Sequence, residues 1–231
     1  MIRDHETLSV EVPAGRVTLA GDLTIPDAPV GIVAFAHGSG SSRNSPRNRQ
    51  VAQTLVEHGL ATLLFDLLTP EEERAERHTR HLRFDVGLLA NRLTSTLEWA
   101  KHQPHIEALP IGIFGASTGA ASALIASTRL PDVAAIVSRG GRPDLAHHAL
   151  PHVTVPTLLI VGSHDREVLE LNRRAMQRMN APTRLHIVEG AGHLFEEPGA
   201  LAEVTLAAST WFRKHLCAPT VHEQFGSAWD R

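Results

Sequence analysis

Six short, largely apolar runs alternate with helical stretches along most of this chain: 31–36, 61–65, 111–114, 133–137, 157–161 and 184–188. Runs of four to six apolar residues are buried on both faces, so they predict parallel strands covered by helices above and below. Before them, residues 7–12 and 15–25 alternate apolar and polar around Pro13-Ala14-Gly15, the pattern of an antiparallel hairpin. The helical stretches keep their own period: Leu89, Leu93, Leu97 and Ala100 recur every three or four residues, as do Leu201, Val204, Ala208 and Trp211, with Leu216 beyond them. Pro70 to Arg80, with Glu71-Glu72-Glu73, is charged and poorly periodic and reads as a surface loop beside the site. The expectation is one α/β domain over residues 1–217, followed by a tail, 218–231, that carries Phe225 and Trp229 and either docks or frays.

With 22 basic against 25 acidic residues the net charge is -3, which offers no field to attract nucleic acid or an acidic membrane. The first residues lack the apolar core of a signal peptide, and no apolar run is long enough to span a bilayer, so a soluble cytoplasmic protein is expected. Cys217 has no partner cysteine and reads as an inert thiol. His147 and His148, near Asp144 and His152, are adjacent in sequence and so do not point at one centre; neither a metal nor another cofactor is expected. The partner is a small molecule, and monomer and dimer stay open.

In an open parallel sheet the ligand sits at the carboxyl ends of the strands. There, Gly115-Ala116-Ser117-Thr118-Gly119 places a serine in a G-x-S-x-G frame, directly after an apolar run and before an Ala-rich helix. Such a frame turns up by chance in roughly one chain of this length in ten. Its setting makes it a nucleophile elbow, a turn sharp enough to need small neighbours and to present the hydroxyl above the sheet. A serine hydroxyl needs a base, and the base needs a third group to hold its tautomer. Asp165 follows the run 157–161 and His193 the run 184–188, in the order Ser, acid, His. Asp144 lies well past its strand end and Glu170 within a helix, which makes them weaker acids for the role. His186 lies within a strand, and His164 adjoins Asp165 and points away from it. For the oxyanion, Thr118 N–H at a helix N-terminus is one expected donor. Ser39 N–H in the loop His37-Gly38-Ser39-Gly40 is the other, with Gly40 its alternative.

These segments resemble the α/β-hydrolase superfamily and, within it, the small lidless dienelactone-hydrolase-like group, over roughly residues 8–216. The stretches 36–49, 64–71 and 137–144 further resemble hydrolase modules found joined to phosphoribosyltransferases. The resemblance implies an esterase-type enzyme without a cofactor. Dienelactone hydrolases proper carry a cysteine nucleophile where this chain has Ser117, so the expectation is general carboxylic ester chemistry.

The short connection from Val137 to Thr157 leaves no room for a large helical cap, so the site should be open and suit small esters. Arg139, at a strand end, and Arg43, Arg47 and Arg49, after the oxyanion loop, are candidates to bind an anionic part of the substrate, with Gly40 a further contact. The competing role for any of them is an ion pair to Glu71, Glu72 or Asp66. Two other functions remain compatible with the same residues. One is an acyltransferase or perhydrolase acting through the same acyl-enzyme, and the other a non-catalytic ligand-binding module on a hydrolase fold.

Overall fold

In the computed structural model, residues 5–217 are described; the tail 218–231 lies outside them. Strands β1 (His5–Ala14) and β2 (Val17–Pro26) form the expected hairpin, and the turn passes through Gly15 at φ +69°. β2 then pairs antiparallel with β4 (Ala61–Phe65). The remaining strands run parallel: β3 (Ile32–Ala36), β4, β5 (Ile111–Ala116), β6 (Val133–Arg139), β7 (Thr157–Gly162) and β8 (Thr183–Val188). The sheet order is β1-β2-β4-β3-β5-β6-β7-β8. After β3 the chain steps outward to β4 and then crosses back to β5. Loops leaving β3 and β5 therefore part in opposite directions, which opens a crevice above those two strands.

Alternation along β3 sorts its side chains between two cores. Ile32, Ala34 and Ala36 join Leu89, Leu93 and Leu97 of α3 (Val86–Ala100) and Leu124 of α4 (Thr118–Ser127). Val33 and Phe35 face the other way, with Val51 and Leu55 of α1 (Pro46–Glu57) and Val204, Ala208 and Phe212 of α6 (Ala200–Leu216). α6 lies so close to β5 that a Cβ on Gly112 would come 2.7 Å from the Phe212 ring.

The segment read as a charged loop is instead helix α2 (Pro70–Thr79). Thr69 caps it: its hydroxyl accepts from Glu72 N–H at 3.2 Å, while the Glu72 carboxylate accepts from Thr69 N–H at 2.8 Å, a complete capping box behind Pro70 at the first helical position. With no apolar stripe, α2 is held by charge. Arg92 of α3 donates to both oxygens of Glu72, at 2.6 and 2.7 Å, and to Leu67 C=O at 2.7 Å. Glu76 is wholly buried and accepts from Thr79 Oγ1, His81, Leu82 and Arg83 N–H, and Arg83 Nε. Burial pushes its pKa up, but the bonds from Leu82, Arg83 and Thr79 prevail and hold it at about 2.

Between β6 and β7 there are only two 3-10 turns, Pro143–Ala146 and Leu150–His152, so the expected absence of a large cap holds. α5 (Arg166–Met176) links β7 to β8. No helix among the described residues is long and apolar enough to cross a membrane. Cys217 sits at the C-cap of α6, half-buried.

Candidate active site

Ser117 joins β5 to α4 at φ +50° and ψ −118°, a conformation that costs a non-glycine residue of order 1–3 kcal/mol. It occupies the N-cap position, yet its hydroxyl makes no capping bond and is left for other use. Neighbouring backbone holds the turn: Ser117 N–H donates to Arg139 C=O at 3.1 Å, and Ser117 C=O accepts from Arg142 N–H at 3.1 Å. The flanking glycines are required by close approach. A Cβ on Gly119 would lie 2.1 Å from the Ala36 carbonyl oxygen, and one on Gly115 2.5 Å from Ala120 Cα.

Asp165 stands at the N-cap of α5 and likewise does not cap it. Its Oδ2 instead accepts from His193 Nδ1–H at 2.6 Å, which leaves the imidazole Nε2 without a proton and able to accept one. The loops that bring the two together are laced to each other. Ser163 N–H donates to Val188 C=O, His164 N–H to Ala191 C=O and Gly190 N–H to Ser163 Oγ. Glu197 accepts from Gly192 N–H at 2.9 Å, and buried Phe195, at φ +56°, anchors the turn beyond the histidine. The competing acids are committed elsewhere, Asp144 to Arg142 and Glu170 to Arg174. His186 of β8 pairs with Glu203 of α6, and His164 is exposed. Ser117 and His193 line one cavity of about 740 Å³, with no hydrogen bond between them among the described residues. Such bonds commonly tighten only when substrate is bound.

The loop after β3 comes down on the elbow, where a Cβ on Gly38 would lie 3.1 Å from Ser117 Cβ. It turns back at Gly40, φ +73°, with Ser41 N–H donating to Gly38 C=O. Ser39 and Thr118 meet here, with Ser39 N–H donating to the Thr118 hydroxyl at 2.9 Å. Thr118 N–H opens α4, at the positive end of the helix dipole.

Sequence reasoning gave His37 no role, yet it ties this loop down. Buried, it donates from Nδ1 to Gly38 C=O and accepts on Nε2 from Leu67 N–H, each at 3.0 Å. Burial lowers its pKa and keeps it neutral, as this pairing needs. The available signal was a histidine directly at a strand end, before glycine.

The arginine candidates separate. Arg43 does not line the cavity: its guanidinium pairs with Asp66 and lies 3.6 Å from Asp22, and its N–H donates to Asp66 Oδ1. Arg49 reaches Asp22 and Asn44. Arg139, Arg47 and Gly40 do line it, together with Glu73, Asn44 and Leu194, which were not singled out from the sequence.

The dienelactone hydrolase family model matches residues 19–216. The chain is 55% identical over 219 residues, 94% of its length, to a putative phosphoribosyl transferase of Mycobacterium tuberculosis, of which it covers 48%. It thus spans about half the length of that relative. A probable 2-oxo-3-(5-oxofuran-2-ylidene)propanoate lactonase of Bradyrhizobium is 27% identical over 196 residues, 73% of this chain and 78% of that one. Among solved structures, a dienelactone hydrolase from Anabaena variabilis is 55% identical, with a TM-score of 0.90 over 92% of this chain and 99% of its own. The sheet described above is that of an α/β-hydrolase fold, and the two structures share it.

Proposed function

The chain belongs to the dienelactone hydrolase family, and we propose that it is a serine hydrolase cleaving small carboxylic esters through Ser117, His193 and Asp165. The observation that carries the reading is the 2.6 Å bond from His193 to an Asp165 carboxylate that forgoes its helix cap, with His193 lining one cavity together with the strained Ser117. In this mechanism His193 Nε2 takes the proton as Ser117 Oγ attacks the acyl carbon. The new oxyanion takes Thr118 N–H and Ser39 N–H, displacing the Thr118 hydroxyl from the latter. His193 then returns the proton to the leaving alcohol. Water, deprotonated by the same histidine, attacks the acyl-enzyme, and that proton passes to Ser117 Oγ as its bond to the acyl carbon breaks and the acid product leaves. A lactone is an internal ester, and the same steps open it. Thus the lactonase name of the Bradyrhizobium relative is compatible with this chemistry.

Labelling with a fluorophosphonate, read by mass spectrometry against Ser117→Ala, tests the assignment. Modification confined to Ser117, together with turnover of short-chain aryl esters, is the expected result. A folded protein that binds ligand but neither labels nor turns over returns the protein to the class of binding modules. Added alcohols or peroxide in the same assay report whether water is the preferred acceptor.

A further inference from the structure

Arg139 sits beside the nucleophile, its Cα in register with Ala116 across β5 and β6. The residue is only 9% exposed and lines the cavity of Ser117 and His193. One guanidinium nitrogen, Nη2, makes a 3.4 Å contact with Asn48 Oδ1; the other, Nη1, is buried without a partner, and no carboxylate pairs with Arg139 among the described residues. Arg47 enters the same cavity from the first turn of α1. Its Nη1 is held by Glu196 at 2.9 Å, while its Nε is also buried without a partner. Glu73, the carboxylate on the cavity wall, lies 4.0 Å from Arg83. Burial and the charge of Arg47 lower the pKa of Arg139 to about 10. Even so it is a cation at neutral pH, repelled by a second one.

Buried charges are normally paired, and a guanidinium fork matches the spacing of two oxygens on one anion. A single fork is enough for a carboxylate. Two guanidinium groups from different elements, each with a donor left unpartnered, in a cavity also lined by Ser41 and Ser42, suit a group with three terminal oxygens. We propose that Arg139 and Arg47 form a phosphate subsite, so that the ester attacked by Ser117 carries a phosphate group. This rests on the serine hydrolase reading and names the substrate class.

The test compares aryl esters that are identical except for a phosphate, a carboxylate or no charge at one position. Parent, R139Q and R139K are assayed, with inorganic phosphate as competing anion. The phosphate-to-neutral ratio of kcat/KM is expected to fall about 10- to 100-fold in R139Q and to be only partly restored in R139K, which returns the charge without the fork. Inorganic phosphate should compete in the parent and do so at least tenfold more weakly in R139Q. An unchanged ratio overturns the subsite, and a parent that prefers the carboxylate ester overturns phosphate as its ligand. Competition by inorganic phosphate without preference for the phosphate ester overturns the substrate class, leaving free phosphate as the ligand. Calorimetric titration of Ser117→Ala with inorganic phosphate reads the site without turnover. Binding there with an inactive parent refutes the hydrolase reading alone, whereas active parent enzyme without binding refutes the subsite alone.

Discussion

Asp165→Asn isolates what the acid contributes. The carboxylate is 16% exposed and accepts the Nδ1 proton at 2.6 Å, which places the imidazole lone pair on Nε2. An amide of the same shape turns its NH2 toward Nδ1 and drives the ring proton to Nε2, the nitrogen that accepts from Ser117 in the proposed mechanism. If the amide oxygen faces the ring instead, the tautomer survives but the imidazolium formed during attack loses its counter-charge. In a serine protease the corresponding change costs about 10⁴ in kcat, or about 5 kcal/mol at 1.36 kcal/mol per decade. The same fall is expected here in kcat for a neutral short-chain aryl ester. The control is Glu170→Gln, which breaks only the exposed pair with Arg174 and should leave kcat within about twofold, since such exposed pairs contribute at most about 1 kcal/mol. Thermal unfolding of both variants verifies that each is folded. A folded Asp165→Asn enzyme with less than a tenfold loss would refute the assignment of Asp165 as the group that orients His193.

Three further outcomes follow from packing and charge. Gly119→Ala sets a methyl 2.1 Å from a backbone oxygen that cannot swing aside, so it should destabilise by about 3 kcal/mol or more in urea unfolding and abolish labelling of Ser117. Phe212→Ala empties a fully buried site against β5 and should cost about 3–5 kcal/mol in the same measurement, with kcat largely kept in the folded fraction. Glu76 is held at about 2 against an ordinary 4.5, so its contribution is present above pH 4.5 and lost as pH falls toward 2; amide exchange of residues 79–84 should accelerate across that window, and Glu76→Gln should flatten the response.

The strands were legible because burial on both faces leaves an unbroken apolar run, as in Thr157–Gly162. α2 was missed because apolar periodicity reports only helices that bury an apolar stripe. This one is fastened by Glu72 and Glu76 to partners 20 and 5–7 residues away, although Thr69, Pro70 and Glu72 spelled its cap in plain view. That Ser117, Asp165 and His193 would come close together could be anticipated because strand ends converge in this topology. Arg43 and Arg139 could not be told apart from spacing: what separates them is that Asp66 reaches one and, among the described residues, no carboxylate reaches the other, a fact of folded neighbours rather than of residue type. His37 escaped for a similar reason, its role resting on a contact with Leu67 from the next strand's loop.

The resting bond between Ser39 N–H and the Thr118 hydroxyl has an energetic consequence for the proposed reaction. A neutral ester carbonyl is about as good an acceptor as a hydroxyl oxygen, so exchanging one for the other yields the bound substrate almost nothing. An alkoxide-like oxygen is a far stronger acceptor, and bonds to ionised acceptors are roughly twice as strong. The exchange therefore becomes favourable only as charge builds on that oxygen. Donor strength withheld from the ground state and released at the barrier lowers the activation free energy without tightening substrate binding, which is how a fixed set of donors serves turnover rather than retention.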